Sequence, residues 1–303
     1  MLDFTRKTYK ALLNALIEQG FSFQTFQEYI ENYKGLVSPC LPDRQALGDK
    51  GAGVGNKTII LRHDVDKLPE NSLHFAQIQH KLGIKGSYFF RIVPESFNPE
   101  IIEEIAKLGH EVGYHYEDVD LASKNIKNQL TSNKKHVTEK NLAEQAIQLF
   151  DKHLKELRKF APIKTICMHG SPLSKYDNKL LWKYYNYRDY GIIGEPYFDV
   201  DFTKVLYLTD TGRRWNGEKV SVRDKVAKSS QQSIVDSRQF KNTHEIISAA
   251  NKGTLSGFTE RSRSEIMFTF HPQRWTDKPL PWVKELVLQN VKNVVKYFLN
   301  KVR

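Results

Sequence analysis

Cysteine is the scarcest reactive group in this 303-residue chain: there are two, Cys40 in a proline-flanked stretch and Cys167 within an apolar run. Two thiols build no disulfide framework, and their scarcity fits a reducing compartment. Long hydrophobic runs are missing as well, since no stretch approaches the roughly 20 apolar residues that a membrane-spanning helix needs. The opening Met1-Leu2-Asp3-Phe4-Thr5-Arg6 soon meets Lys7, Lys10 and Glu18, which leaves no apolar core for a secretory signal. These absences predict a cytoplasmic protein without a transmembrane segment. A basic surface patterned for single-stranded nucleic acid is also lacking. The chain carries 46 Lys+Arg against 35 Asp+Glu, a net charge of +11. Yet residues such as Lys124, Lys127, Lys152 and Lys155 are strewn along helix-forming segments rather than interleaved with aromatics. They read as solvated faces with a general pull on anions, sugar-linked phosphates and acidic glycans among them. No nucleic-acid partner is expected.

What is present has the rhythm of an α/β protein. Leu12, Leu13, Leu16 and Ile17 recur at helical spacing before Gly20, and a second short helix is predicted around 25–32. Residues 33–57 then collect Pro39, Pro42, Gly48, Gly51, Gly53 and Gly55, the composition of a flexible connector. The organisation predicted is a helical N-terminal extension with its connector over 1–57 and a compact body over 58–303. Within the body, β-rich runs at 58–64, 86–92, 111–116, 163–168, 191–195 (weak), 204–209 and 266–271 alternate with helix-period segments at 70–82, 99–108, 138–159, 177–186, 243–250 and 281–299. Strands separated by helices imply a parallel sheet. The polar stretch 212–242 resists assignment.

The strands end in chemistry. Asp64, Arg91, His115, His169, Asp210 and His271 each close a strand, at the sheet edge where α/β folds bind ligands. Asp64 and Asp66, two apart, face the same side of an ideal strand, so one can hold a divalent ion while the other takes a proton from water. The competing reading is a pair of turn or capping aspartates ahead of Pro69-Glu70. His110 and His115 stand an odd interval apart and face opposite ways. His115, beside Glu117 and Asp118, is the metal-ligand candidate, and His110 a buried imidazole bonded to backbone. His169 and His271 precede glycine or proline turns; each is a candidate general acid, ligand or cap. Asp210-Thr211-Gly212-Arg213-Arg214-Trp215 adds a cationic and aromatic cluster suited to a sugar and its anionic substituent, or else a tight turn with Trp215 packed on the rim.

Several of these segments, in the same order, resemble the polysaccharide deacetylase (NodB-homology) family of carbohydrate esterases. Asp64-Val65-Asp66 is similar to that family's first aspartate motif, Gly83-Ile84-Lys85-Gly86-Ser87-Tyr88-Phe89-Phe90 to its second strand, and Gly109-His110-Glu111-Val112-Gly113-Tyr114-His115 to the lead into its metal-binding histidine. His115-Tyr116-Glu117-Asp118, Met168-His169-Gly170-Ser171-Pro172 and His271-Pro272-Gln273-Arg274-Trp275 resemble a bacterial branch linked to surface-polysaccharide or O-antigen gene clusters. The resemblance implies a distorted seven-stranded (β/α) barrel and a divalent metal, usually zinc. It implies Asp64 as base, Asp66 and His115 as ligands, and His271 as the acid for the leaving amine; His169 stays a further catalytic candidate by its place at a strand end. The reaction implied is removal of an N-acetyl or related acyl group from an amino-sugar glycan. The family's second metal histidine falls at Val119 here, so a third ligand is expected from Glu117, Asp118 or His169, with Asp118 assigned to the metal. Arg91, Arg214, Trp215, Arg274 and Trp275 are the expected substrate contacts. The alternative is a catalytically inactive carbohydrate-binding or scaffold protein on the same barrel.

Overall fold

The computed structural model describes residues 2–36, 57–129, 138–170, 174–202, 204–215, 240–257 and 265–302. Most of the expected connector, all but the ends of the polar stretch 212–242, and Ser171-Pro172 lie outside the described residues. Seven strands form one sheet: β1 (Ser22–Gln24), β2 (Thr58–Val65), β3 (Ser87–Phe90), β4 (Glu111–Tyr116), β5 (Ile166–Met168), β6 (Val205–Thr209) and β7 (Glu265–Phe270). All pairings are parallel, in the order β5-β4-β3-β2-β7-β6. Strand β1 adds to the first half of β2, Ser22 opposite Thr58, and β3 takes over along the second half, from Ser87 opposite Arg62.

The sheet is a curled half-barrel rather than a closed ring of seven. Among the described residues β5 and β6 form no ladder with each other. The strand expected near 191–195 is reduced to a single bridge, Thr165 with Gly194. It is pinched between Gly191, which turns the chain at φ +71°, and the short helix that begins at Pro196. The seventh strand instead comes from the N-terminal stretch.

Two cores, one on each face, follow from the period of two along every strand. On the outer face Ile59, Leu61, Tyr88, Phe90, Tyr114, Tyr116, Phe268 and Phe270 pack under the helices. On the inner face Ile60, Phe89, Cys167, Val205, Tyr207 and Met267 gather around Phe26, Tyr29 and Ile30 of helix α2 (Phe26–Leu36). That β5 and β6 both contribute to this inner cluster shows the sheet's two edges curling toward each other. Gly113 is part of the fit, because a Cβ there would collide with the Phe89 ring.

The N-terminal stretch is integral to this body. Helix α1 (Arg6–Glu18) buries Tyr9, Leu12, Leu13 and Leu16 in the outer core. At ~1.5–3 kcal/mol for each fully buried large apolar side chain, these four contribute on the order of 6–12 kcal/mol, as much as the net stability of a whole domain. Helix α2 plugs the inner face. Thr25 and Glu28 form a reciprocal capping box at its start, Glu28 N–H to Thr25 Oγ1 at 3.1 Å and Thr25 N–H to Glu28 Oε2 at 2.8 Å. The sheet supplies the remaining acceptors: Phe26 N–H donates to Ser87 Oγ (2.7 Å) and Gln27 N–H to Glu111 Oε2 (2.9 Å). This plug closes the amino end of the half-barrel and leaves its carboxyl end for the site.

The body otherwise follows the predicted alternation, with α3 (Pro69–Lys81), α4 (Pro99–Lys107) and α6 (Glu139–Leu157) between strands and the long helix Pro279–Val302 at the end. Helix α5 (Asp118–Gln129), which carries Lys124 and Lys127, joins the helices predicted by range. No helix of the described residues is long and apolar enough to cross a membrane.

Candidate metal centre and its flanking groups

Asp64, His115 and Cys167 belong to the inner face of β2, β4 and β5, and Asp66, Glu117 and His169 follow just beyond the carboxyl ends of the same strands. Asp66, His115 and His169 each offer one ligand atom, all within 4.8 Å of one another. Asp66 Oδ1 lies 3.5 Å from His115 Nε2 and 3.6 Å from His169 Nε2. Ligands held at about 2.1 Å on a tetrahedron stand about 3.4 Å apart, so the observed spacing matches the edges of such a site.

The protonation of the two imidazoles is set from behind. His115 Nδ1 is 2.9 Å from the carbonyl oxygen of Cys167; a carbonyl only accepts, so Nδ1 carries the hydrogen and a neutral ring points its Nε2 lone pair at Asp66. His169 Nδ1 faces Glu117 Oε2 at 3.3 Å. This is the carboxylate- and carbonyl-backed arrangement that orients metal-binding histidines. Asp66 Oδ2 accepts from Gln273 Nε2 at 2.8 Å, while its Oδ1 is buried without a hydrogen-bond partner. A buried carboxylate oxygen confronted by two imidazole lone pairs is costly unless a cation lies between them. The donor set fits a divalent metal.

Two titratable pairs flank this cluster. Arg62, buried on the inner face two residues before Asp64, grips it with Nε to Oδ1 (2.8 Å) and Nη2 to Oδ2 (2.6 Å). Burial alone would raise the Asp64 pKa, but the Arg62 charge, aided by His115, outweighs it and holds the carboxyl below its usual range. Asp64 Oδ2 is 3.9 Å from His115 Nε2. Burial likewise opposes ionisation of Asp66; positive charge around it, a proton on His115, His169 or His271 or a cation in their place, overcomes the burial and holds the pKa well below the normal value.

On the opposite side Asp210 is a fully buried hub. It accepts from the His271 backbone N–H (3.0 Å) and His271 Nδ1 (2.5 Å), and also from Arg274 Nη1 (3.0 Å) and Trp275 Nε1 (2.7 Å). This fixes the His271 tautomer and leaves Nε2 unengaged by Asp210; the ring's charge is felt by both Asp64 and Asp66.

Other expected site residues are placed elsewhere. Asp118 is not brought to the metal cluster: its carboxylate, in the outer layer, accepts from Tyr114 Oη (2.8 Å) and His153 Nδ1 (2.7 Å). The reason is register, since Tyr114 and Tyr116 alternate outward while His115 and Glu117 turn in. Trp215 is buried in the outer core against Phe268 and Phe270, its Nε1 bonded to Thr243 Oγ1 at 3.0 Å. Trp275 is likewise buried, and with Arg274 it supports Asp210 instead of facing solvent. Arg91 spans Glu117 Oε1 (2.6 Å) and the Asp66 carbonyl oxygen (3.0 Å). Arg214 is exposed. His110 is, as expected, a backbone-bonded buried imidazole, 2.9 Å from the Ala76 carbonyl oxygen through Nε2.

Three participants escaped the sequence reading. Arg62 carried a usable signal, its spacing of two from Asp64. Gln273 and Cys167 carried none beyond their places at or after a strand end.

No protein family model matches this chain, and no curated protein does. Among solved structures the chain is similar to a mutant form of the peptidoglycan deacetylase PdaC from Bacillus subtilis, at 15% identity and a TM-score of 0.31, over 81% of this chain and 96% of that one.

Proposed function

We propose that this protein is a metal-dependent hydrolase that removes an N-acetyl or related acyl group from an amino sugar, in the cytoplasm, during assembly of a cell-surface polysaccharide. One observation carries the reading: Asp66, His115 and His169 converge on the unpartnered Asp66 Oδ1 with an ionised aspartate on one side and a carboxylate-backed histidine on the other. The sequence resemblance in the blocks around Asp64 and His115 supports the same chemistry and the surface-polysaccharide context. In this assignment His169, delivered by β5, takes the place left vacant by Val119.

A divalent ion, zinc by donor type, supplies Lewis-acid polarisation of the acyl oxygen and a lowered pKa of water. Asp64 accepts the proton of the attacking water, and Arg62 keeps that carboxylate ionised and oriented. The water oxygen bonds to the acyl carbon. As the C–N bond breaks, His271 gives its Nε2 proton to the departing amine, and Asp210 offsets the positive charge of the imidazolium that precedes this transfer. The products are a free amino sugar and acetate or its homologue.

The test is acetate release from N-acetylated amino-sugar oligosaccharides, with bound metal measured in parallel. Asp64→Asn abolishes turnover and keeps the metal, whereas His115→Ala loses both. Normal turnover by Asp64→Asn removes the base assignment. Val119 motivates one rival, an inactive carbohydrate binder; saturable glycan binding with metal bound and no acyl release from any amino sugar would favour it.

A further inference from the structure

We infer that the inner wall of the half-barrel holds a second metal position, Asp64, His115 and Cys167, which takes a soft, thiophilic cation such as Cd2+ in place of the first. The three donor atoms lie within 4.8 Å of one another, and all three residues are buried, Cys167 completely. The sheet brings them together by register. His115 and Cys167 are direct partners across β4 and β5, so their side chains stand side by side on one face. Asp64 reaches the same face from β2, two strands away from β4 in the sheet order.

The two positions differ in chemistry and in size. The first offers two imidazoles and a carboxylate, the second an imidazole, a carboxylate and a thiol, and thiolate ligands select soft ions. Oxygen and nitrogen ligands around zinc-sized ions stand about 3.4 Å apart. Asp64 Oδ2 and His115 Nε2 are separated by 3.9 Å, a wider edge that suits a larger cation with longer bonds. Arg62, which interacts electrostatically with both Asp64 and Cys167, places a positive charge beside the position. When the cation binds, the sulfur–metal bond forms and the thiol proton passes to solvent. The two anionic ligands then offset the nearby guanidinium and part of the ion's charge.

His115 makes the two positions exclusive. Its Nδ1 is committed to the Cys167 carbonyl, so one Nε2 lone pair serves one ion at a time. A cation on Cys167 therefore displaces a metal from Asp66 and His169. It also occupies Asp64, so that, resting on the proposed reading of Asp64 as base, it stops turnover twice over.

The experiment uses the full chain, stripped of metal and titrated with Cd2+ while thiolate-to-cadmium charge-transfer absorption is followed in the ultraviolet. A Cys40→Ser background leaves Cys167 as the sole thiol. The absorption is expected to appear in that background, to saturate at a single ion per chain and to fall when excess Zn2+ is added. It is expected to vanish on adding Cys167→Ser, which still binds Zn2+, and on adding His115→Ala. Cadmium bound without the absorption, absorption that survives His115→Ala, or no cadmium binding by a chain that binds zinc would each overturn the inference. The hydrolase reading fails separately: absorption as expected, with no acyl release by the zinc-loaded protein, sinks that reading and leaves this site standing.

Discussion

The two banks of the site are built to opposite specifications. On the β6–β7 bank every acceptor of Asp210 is used: both carboxylate oxygens and the backbone carbonyl take bonds from His271, Arg274 and Trp275. On the β2–β4–β5 bank the polar atoms are left short. Asp66 Oδ1 is buried without a hydrogen-bond partner, as is Oε1 of Gln273, which reaches across from beyond β7 to bond Asp66 Oδ2. Unmade bonds of this kind cost about 1–3 kcal/mol each, and a chain keeps them where a ligand will complete them. The contrast teaches what each bank is for. A closed network holds one imidazole in one orientation and tautomer, the requirement for moving a proton. An open one, with donors spaced like the edges of a tetrahedron, is compatible with a bound cation.

The sharpest way to break that contrast is to open the closed bank. Asp210→Asn puts an amide N–H₂ where four donors now converge, so the His271 ring flips or shifts and its Nδ1 proton loses its acceptor. Turnover should fall ~10⁴-fold, the scale seen when a histidine-orienting aspartate becomes asparagine in a serine-protease triad, while the content of bound metal is unchanged. Stability should also drop, by about 3–5 kcal/mol, because Arg274 is left as a buried charge without its partner. Activity within a few-fold of wild type would show that His271 moves no proton. The converse experiment perturbs the open bank. Glu117→Gln keeps the shape but removes the charge between Arg91 and His169, and metal affinity should weaken ~10–100-fold, as for other residues that back a metal-binding histidine. Equilibrium competition against a zinc chelator reads this directly. Unchanged affinity would mean that His169 does not ligate.

How much of this was legible beforehand depended on whether a residue's partner was near in sequence. Six of the seven strands, their parallel pairing and the carboxyl-edge site follow from local periodicity, and so does the sharing of one face by Asp64 and Asp66. Asp118 misled because it directly follows Glu117. The neighbour of an inward residue near a strand end turns outward, and Asp118 finds Tyr114 and His153 there. Trp215 and Trp275 looked like sugar platforms because polar and basic residues flank them; their real partners, Thr243 and Asp210, lie 28 and 65 residues away. The seventh strand was unreadable for the same reason. Three residues, Ser22–Gln24, carry too little pattern, and only pairing with β2 across the connector makes them a strand.

The contrast between completed and incomplete imidazoles extends to the far face of β2, where the smallest expected effect lies. His63 points away from the site and has both nitrogens engaged: Nδ1 donates to the Ser87 carbonyl (3.0 Å), and Nε2 faces Tyr9 Oη (3.0 Å) and Gln79 Nε2 (2.9 Å). Burial pushes its pKa down to about 3, against an ordinary 6.5. Between those values the unfolded chain holds a proton on this residue that the folded chain refuses, so the stability His63 contributes is present above 6.5 and is lost as the pH falls. Glu195, which burial raises to about 8, acts in the opposite sense, because its proton stabilises the fold and is lost as the pH climbs. The two must be separated by substitution. In His63→Gln the Glu195 contribution is unchanged and cancels in the comparison with wild type. The wild type should be the more stable protein at about pH 7, and its advantage should shrink by up to about 1.4 kcal/mol per pH unit on the way to about pH 5, read from urea unfolding midpoints. An advantage that stays constant with pH would mean that His63 protonates as readily in the fold as outside it, and that its network with Tyr9 and Gln79 is not closed.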